Sequence, residues 1–152
     1  EVAIGVDVMC VSALEADVNF NVNVLVGSDG IIRGAIGGHP DTAADSALSV
    51  IVCPLLRGRI PCIVDHVTTL ITPGENVDVV VTEYGVAVNP QRPELAAKLE
   101  ASGMKLVTLE ELRDRALRTI GTPDSLPFGD KVVGVVLNRH GQVQDVIRNI
   151  IE

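Results

Sequence analysis

Short runs of aliphatic residues, rich in β-branched side chains, constrain this chain more than any other feature. Residues 22–26, 50–53 and 77–81 are such runs, each the length of a strand and too short for a helix. Runs of this kind belong to sheets covered on both faces. Phe20, Tyr84 and Phe128 are the whole aromatic set, 2% of the chain, so Val, Ile, Leu and Ala must fill the core. A length of 152 residues suits a single α/β unit able to bury such a core. No repeat, low-complexity tract or linker divides residues 1–152 into separate domains.

An apolar segment over 2–14 reads as one or two strands, and Glu15-Ala16-Asp17 reads as a turn. Alternation over 20–25 predicts a half-buried strand, ended by the turn Gly27-Ser28-Asp29-Gly30. A short strand over 31–36 leads to a helix over 41–48. Strands over 49–56 and 61–71 flank Arg57-Gly58-Arg59 as a hairpin, and a further buried strand covers 77–83. Pro93 and Gly103 bracket a helix over 94–101. Thr108 and Glu111 fit a capping box, behind which Leu109, Leu112, Ala116, Leu117 and Ile120 share one face. Residues 132–137 and 143–151 form a closing hairpin around Arg139-His140-Gly141.

A formal charge of −8 and the scarcity of aromatics argue against a nucleic-acid partner. Mean hydropathy is +0.35, yet no stretch reaches the length of a membrane span. Cys10, Cys53 and Cys62 have no paired spacing and sit among apolar residues, which predicts reduced, buried thiols and a cytoplasmic location. The start Glu1-Val2-Ala3 is neither a signal peptide nor an initiator methionine, so a piece of a longer protein is expected.

Residues 34–44 bring unusual constraints together. Gly34, Gly37 and Gly38 allow close backbone approach or positive φ, Pro40 stiffens the turn, and Asp41 or Thr42 is placed to cap a helix. A glycine turn entering a helix suits an anion or an oxyanion. Two readings stand for His39 and Asp41. In one, His39 hydrogen-bonds a nearby strand and Asp41 caps the helix. In the other, His39 donates to a substrate oxygen while Asp41 fixes the loop or the ring. Metal ligation is not expected: neither His66 nor His140 has the partners of a ligand set. Arg57 and Arg59 are either a solvated hairpin tip or contacts to carboxylate or phosphate, which guanidinium forks fit. Ser28 and Asp29 are either turn residues or part of the site lining.

Several segments, in order, resemble the C-terminal part of the citrate lyase alpha subunit, a citrate CoA-transferase. They are 13–24, beginning Ala13-Leu14-Glu15-Ala16-Asp17, then Gly27-Ser28-Asp29-Gly30 and Gly37-Gly38-His39-Pro40-Asp41-Thr42-Ala43. Pro54-Leu55-Leu56-Arg57-Gly58-Arg59-Ile60-Pro61, Val67-Thr68-Thr69, Thr72-Pro73-Gly74-Glu75 and Gly85-Val86-Ala87-Val88-Asn89-Pro90 follow. The resemblance implies an α/β, CoA-transferase-like open sheet with flanking helices. It implies that residues 1–152 are the later portion of the second such domain in a longer subunit. It also implies a reaction in which citrate replaces acetate on a thioester carried by an acyl carrier protein, giving citryl thioester and acetate. The dephospho-CoA-like prosthetic group belongs to that carrier (acetyl-CoA being the alternative acyl donor), so no covalently bound cofactor is expected here. The implied partners are the beta (lyase) and gamma (carrier) subunits in an oligomeric assembly. Gly37, Gly38, His39 and Asp41 become the expected catalytic group, and Ser28, Asp29, Arg57 and Arg59 the expected substrate-binding group. Relatives with a glutamyl-CoA intermediate carry a Glu in a Ser-Glu-Asn-Gly setting; Glu75 lies in a different order and is not expected to be a nucleophile.

Two other classes remain. One is a non-catalytic docking or assembly piece, consistent with an inactive isolated chain. The other is a small-molecule sensor or sugar-phosphate isomerase on a related scaffold.

Overall fold

The structure, a computed structural model, describes residues 5–27 and 29–151. Strands β1 (Val6–Ser12), β2 (Glu15–Asp17) and β3 (Val22–Asn23) precede helix α1 (His39–Asp45). Next come β4 (Ser46–Val52), β5 (Leu56–Arg57), β6 (Ile60–Pro61) and β7 (Ile63–Val64). A 3-10 turn at Gly74–Asn76 leads to β8 (Val79–Thr82) and β9 (Gly85–Val88). Helices α2 (Pro93–Ala101) and α3 (Leu109–Ile120) and a ribbon of β10 (Phe128–Leu137) and β11 (Val143–Ile150) complete the chain. This is the α/β arrangement of open sheets and flanking helices that the sequence implies.

The main sheet has the order β1-β4-β8-β9. Its first three strands are parallel, with Met9 opposite Ser49 and Ile51 opposite Val80; β9 returns antiparallel with Ala87 opposite Val80. Met9, Ser49, Ile51, Val80 and Ala87 therefore share one face, and all are buried. The other face is less covered: Val8 is 57% and Val52 42% exposed. Covering on both faces thus holds for β8, where Val79, Val80 and Thr82 are buried, and is incomplete at β1, against which α1 packs.

The second sheet has the order β3-β2-β7, with β2 antiparallel to β3 and parallel to β7. Its central strand is Glu15-Ala16-Asp17, the segment expected to be a turn. All three residues are buried, with relative exposures of 1%, 0% and 1%. Two buried carboxylates are tolerable only when fully hydrogen-bonded. Glu15 accepts from the Thr68 N–H (2.8 Å), the Thr68 hydroxyl (2.9 Å) and the Asn23 amide (2.8 Å). Asp17 accepts from the Asn19 N–H (2.9 Å), the Asn21 N–H (3.0 Å) and the Asn21 side chain (3.1 Å). Alternation over 20–25 is misleading for the same reason: Asn23 is fully buried, donating to Glu15 and accepting from Leu25 N–H at 2.9 Å.

Other boundaries move. Residues 31–36 form no strand, only a single bridge from Val26 to Ile32. Helix α1 ends at Asp45, because Ser46 and Leu48 pair with Val6 and Val8 and start β4 early. Residues 61–71 are not one strand; after β7 the chain is held by Glu15 and Asp17 rather than by a ladder. Helix α2 starts at Pro93, and the Thr108–Glu111 capping box opens α3, which buries Leu109, Leu112 and Ala116 in the core.

Glu15→Ala leaves the Thr68 and Asn23 donors without their buried acceptor and should cost about 3 kcal/mol. Urea unfolding monitored by circular dichroism measures it; a loss near zero would show that Glu15 does not hold the second sheet together.

Candidate functional site

Because β1, β4 and β8 run parallel, their carboxyl ends at Ser12, Val52 and Thr82 lie along one edge of the main sheet. In open α/β sheets ligands gather at that edge. His39 sits there as the first residue of α1. Its Nε2 lies 3.3 Å from the Ser12 carbonyl and its Nδ1 lies 2.7 Å from Thr72 Oγ1. A carbonyl only accepts, so Nε2 carries the proton and Nδ1 accepts from the Thr72 hydroxyl. Burial holds the ring below its ordinary value of 6.5, which keeps it neutral near pH 7.

The turn before His39 is open. Gly37 adopts φ +54°, a left-handed conformation that disfavours any side chain, and a Cβ there would meet nothing within 4 Å. Gly38 is the N-cap of α1, with φ −92° and only Thr42 Oγ1, at 3.4 Å, near a Cβ position. Both glycines are exposed, and neither N–H donates to another group among the described residues. Asp41 is not the cap. It lies in the first turn of α1 and accepts from Arg139 Nε at 3.2 Å, away from the glycine amides.

Arg57 reaches the neighbouring carbonyl: its Nη2 donates to Ala13 O at 3.0 Å. It shares a cavity of about 220 Å³ with Leu14, Gly27, Asp29, Arg33 and Ile60. Asp29 pairs with Arg33, and that hydrogen bond holds its carboxyl below the usual carboxylate range. Arg59 is exposed at the β5–β6 tip and has no hydrogen bond or ion pair among the described residues. Ser28 lies outside the described residues. The fold therefore gathers His39, Arg57 and Asp29 around residues 12–14, and leaves Arg59 at the hairpin tip.

Sequence reasoning missed Thr72, Arg33 and Arg139. Thr72 is found only through the fold, which pairs it with Val22 at 2.9 and 3.0 Å and so presents its hydroxyl to His39. The β10–β11 ribbon supports this arrangement from both sides. Arg139 Nη1 donates to both oxygens of Asp45 at 3.0 and 3.2 Å, and its Nη2 donates to the Asp41 carbonyl at 2.6 Å. Gln144 donates to the Leu70 and Ile71 carbonyls at 3.0 and 2.7 Å, while Asp145 accepts from Leu70 N–H at 2.6 Å. One end of the ribbon thus holds the helix that carries His39, and the strand beyond holds the segment that carries Thr72.

Thiol chemistry has little place here. Burial pushes Cys53 up to about 12 and raises Cys62 as well, and both are free thiols; Cys10, expected to be buried, is exposed. Among the described residues no group of three His, Cys, Asp or Glu side chains is placed to hold a metal ion. No described helix is long and apolar enough to cross a membrane. A larger cavity of about 560 Å³ lies between α3 and residues 63–68 and shares no lining residue with the site; its Arg113 is tied to Asp65 and Asp114.

Residues 3–150 match the family model described as citrate lyase, alpha subunit (CitF). The citrate lyase alpha chain of Escherichia coli K12 is 58% identical over 146 residues, 96% of this chain and 29% of that one. The Klebsiella pneumoniae alpha chain is 53% identical over 144 residues, 95% of this chain and 28% of its own length. A Streptococcus mutans structure, described as the alpha subunit of citrate lyase in complex with citrate, superposes with a TM-score of 0.93 at 51% identity. The match covers 96% of this chain and 29% of that one. The chain thus spans under a third of the length of the relatives it matches.

A neutral His39 has a consequence for pH. Its folded value lies below 6.5, so the unfolded chain binds the proton more readily. Stability is therefore full above 6.5, falls as the pH drops below it, and levels off beneath the folded value. Proton NMR of the ring should place the titration below 6.5. Arg139→Gln, by loosening α1, should move it back toward 6.5 with little change in melting temperature. An unmoved titration would show that the ribbon does not position His39.

Proposed function

The chain belongs to the citrate lyase alpha-subunit family, and on that premise we propose that it supplies one wall of a citrate CoA-transferase site. In the proposed reaction a citrate carboxylate oxygen adds to the carbonyl of an acetyl thioester on the acyl carrier protein. The thiolate leaves, then adds to the citryl carbonyl of the resulting anhydride and expels acetate. Each addition builds a tetrahedral oxyanion, and each collapses without help from an enzyme nucleophile. Carboxylates are already ionised at neutral pH, so the demand on the protein is electrostatic and positional.

The open Gly37 and Gly38 amides are the observation that carries this reading. Two unpaired N–H groups on a turn held by His39 are the donors an oxyanion needs. His39 Nε2–H contributes through its long, 3.3 Å contact to Ser12, which a substrate oxygen is able to displace. Arg57, beside it on Ala13, suits a carboxylate of citrate or a phosphate of the carrier's prosthetic group. Asp41 acts through the loop, tied to Arg139, rather than on substrate. Arg59 and Ser28 stay in the reading as substrate-binding residues, Arg59 toward citrate or the phosphates of the carrier's prosthetic group and Ser28 in the site lining. The chain corresponds to the later portion of the second CoA-transferase domain of a longer subunit, which works in the cytoplasm with beta and gamma subunits. In this reading it carries no covalently bound cofactor and acts on the carrier's dephospho-CoA-like group or on acetyl-CoA.

A docking role has its own support: Val133, Val135, Leu137 and Val143 on the ribbon are 50–65% exposed. A pull-down with carrier protein beside an exchange assay on the chain alone separates docking from catalysis.

Gly38→Ala is the sharper test. At φ −92° alanine is unstrained, and its Cβ meets only Thr42 Oγ1 at ordinary contact distance. Placed in the E. coli alpha chain in exchange for the matching segment, the chain should support acetyl-to-citryl exchange. Gly38→Ala keeps the N–H but puts a methyl group into the open space through which a substrate oxygen must approach it, and should lower that exchange at least about tenfold with an unchanged melting temperature. His39→Ala should lower it in the same way. Full turnover in both variants would remove the glycine–histidine turn from the reaction.

A further inference from the structure

The small cavity lined by Leu14 and Arg57 has a composition that the exchange chemistry alone does not require. It is lined by Leu14, Gly27 and Ile60, and its charged groups are Asp29, Arg33 and Arg57. Two guanidinium groups face one carboxylate there, a local charge of +1 in a chain of −8. We propose that Arg33, held in place by Asp29 and set beside Arg57, is the group that selects a polycarboxylate acid over acetate in this site. The proposal rests on the exchange reading and names the specificity element of the same site.

Three observations support it. The first is that the described residues around the pair are tied by hydrogen bonds. Gly27 N–H donates to the Ile31 carbonyl at 3.0 Å, Ile31 N–H to Asp29 Oδ1 at 3.2 Å, and Arg33 N–H to the Leu25 carbonyl at 2.8 Å. Fixing a cation before the ligand arrives lowers the ordering cost of binding. The second is the glycine beneath the pair. A Cβ at Gly27 would lie 2.7 Å from Asp29 Oδ1 and 3.3 Å from Arg33 Nε, so the pair packs directly on the backbone.

The third is placement. His39 meets the Ser12 carbonyl, Arg57 meets the Ala13 carbonyl, and the cavity opens on Leu14. An acid that presents one carboxylate to the glycine turn therefore brings a second toward Arg33 and Arg57. Arg57 uses one nitrogen on Ala13 and Arg33 one on Asp29, and among the described residues the remaining guanidinium N–H groups are unpaired. Guanidinium forks match carboxylates in two-point geometry. Acetate, with a single carboxylate, fills the turn and leaves the cavity empty. The same site thus releases the monocarboxylate and retains the polyacid.

An exposed ion pair contributes little to folding, so removing it tests binding without unfolding the chain. Calorimetric titration of the chain with citrate, tricarballylate and acetate measures the three affinities. Arg33→Gln should weaken citrate and tricarballylate at least about tenfold and leave acetate unchanged. Arg33→Lys keeps the charge, loses the fork, and should fall between. Gly27→Ala displaces the pair without deleting a charge and should also weaken both polyacids.

Unaltered citrate affinity in Arg33→Gln overturns the proposal, as does a chain that takes up no citrate at millimolar concentration. Its failure is separable from that of the exchange reading. Lost turnover in Gly38→Ala with normal citrate binding in Arg33→Gln removes only this subsite. Weakened citrate binding in Arg33→Gln with full turnover in Gly38→Ala removes only the glycine turn.

Discussion

The buried carboxylates of Glu15 and Asp17 hold this structure together. They occupy the middle strand of the second sheet and accept hydrogen bonds from residues 19–23 and from Val67 and Thr68. Asn21 extends the network to the Gly74 N–H at 2.9 Å. Stretches with no regular ladder of their own are thereby fixed, and no buried side-chain polar atom among the described residues lacks a partner. The site depends on this arrangement because residues 12–14 run directly from the end of β1 into Glu15. Their carbonyls are the anchors of His39 and Arg57.

The site is accordingly a property of one strand end, supported from a distance. The main sheet supplies a parallel edge, α1 supplies the glycine turn and His39, and the β5–β6 hairpin supplies Arg57. The closing ribbon reaches back across the sequence to hold both α1 and the segment before Thr72. Ion pairs such as Arg139 with Asp41 and Asp45 are exposed and weigh little in global stability. Their effect is geometric: they restrict where the first turn of α1 sits, and a displacement of an ångström matters more to an oxyanion than to the fold.

The charge distribution fits this division. A chain of −8 has no general attraction for an anionic acid, so an anion must be drawn by local groups. Open amides and paired guanidinium groups meet that need in different ways. Amide dipoles suit charge that develops during the reaction, whereas fixed cations suit charge already present on the substrate. Under the proposed exchange, dividing the two between the 34–38 turn and Arg33 would let one strand end treat the reacting and the non-reacting carboxylates separately.

The helices, the β5–β6 hairpin, the closing ribbon and the aliphatic strands of the main sheet were legible in the sequence. Their signals are local: Pro93 and Gly103, the Thr108–Glu111 box, the Val and Ile runs. The glycine turn was legible too, because φ +54° at position 37 strongly favours glycine. Three things belonged to the tertiary structure alone. Glu15-Ala16-Asp17 looked like a turn because nothing nearby in sequence shows that Thr68, 53 residues away from Glu15, supplies its partners. Asp41 looked like a cap, and its true partner is Arg139, 98 residues away. Thr72 and Arg33 gave no local signal, since their relevance comes from what the fold sets beside them. Chain-local chemistry determined the elements; hydrogen bonds between distant residues decided which side chains meet, because burial leaves groups such as Glu15 and Asn23 no other partner and chain-distant placement brings Arg139 to Asp41.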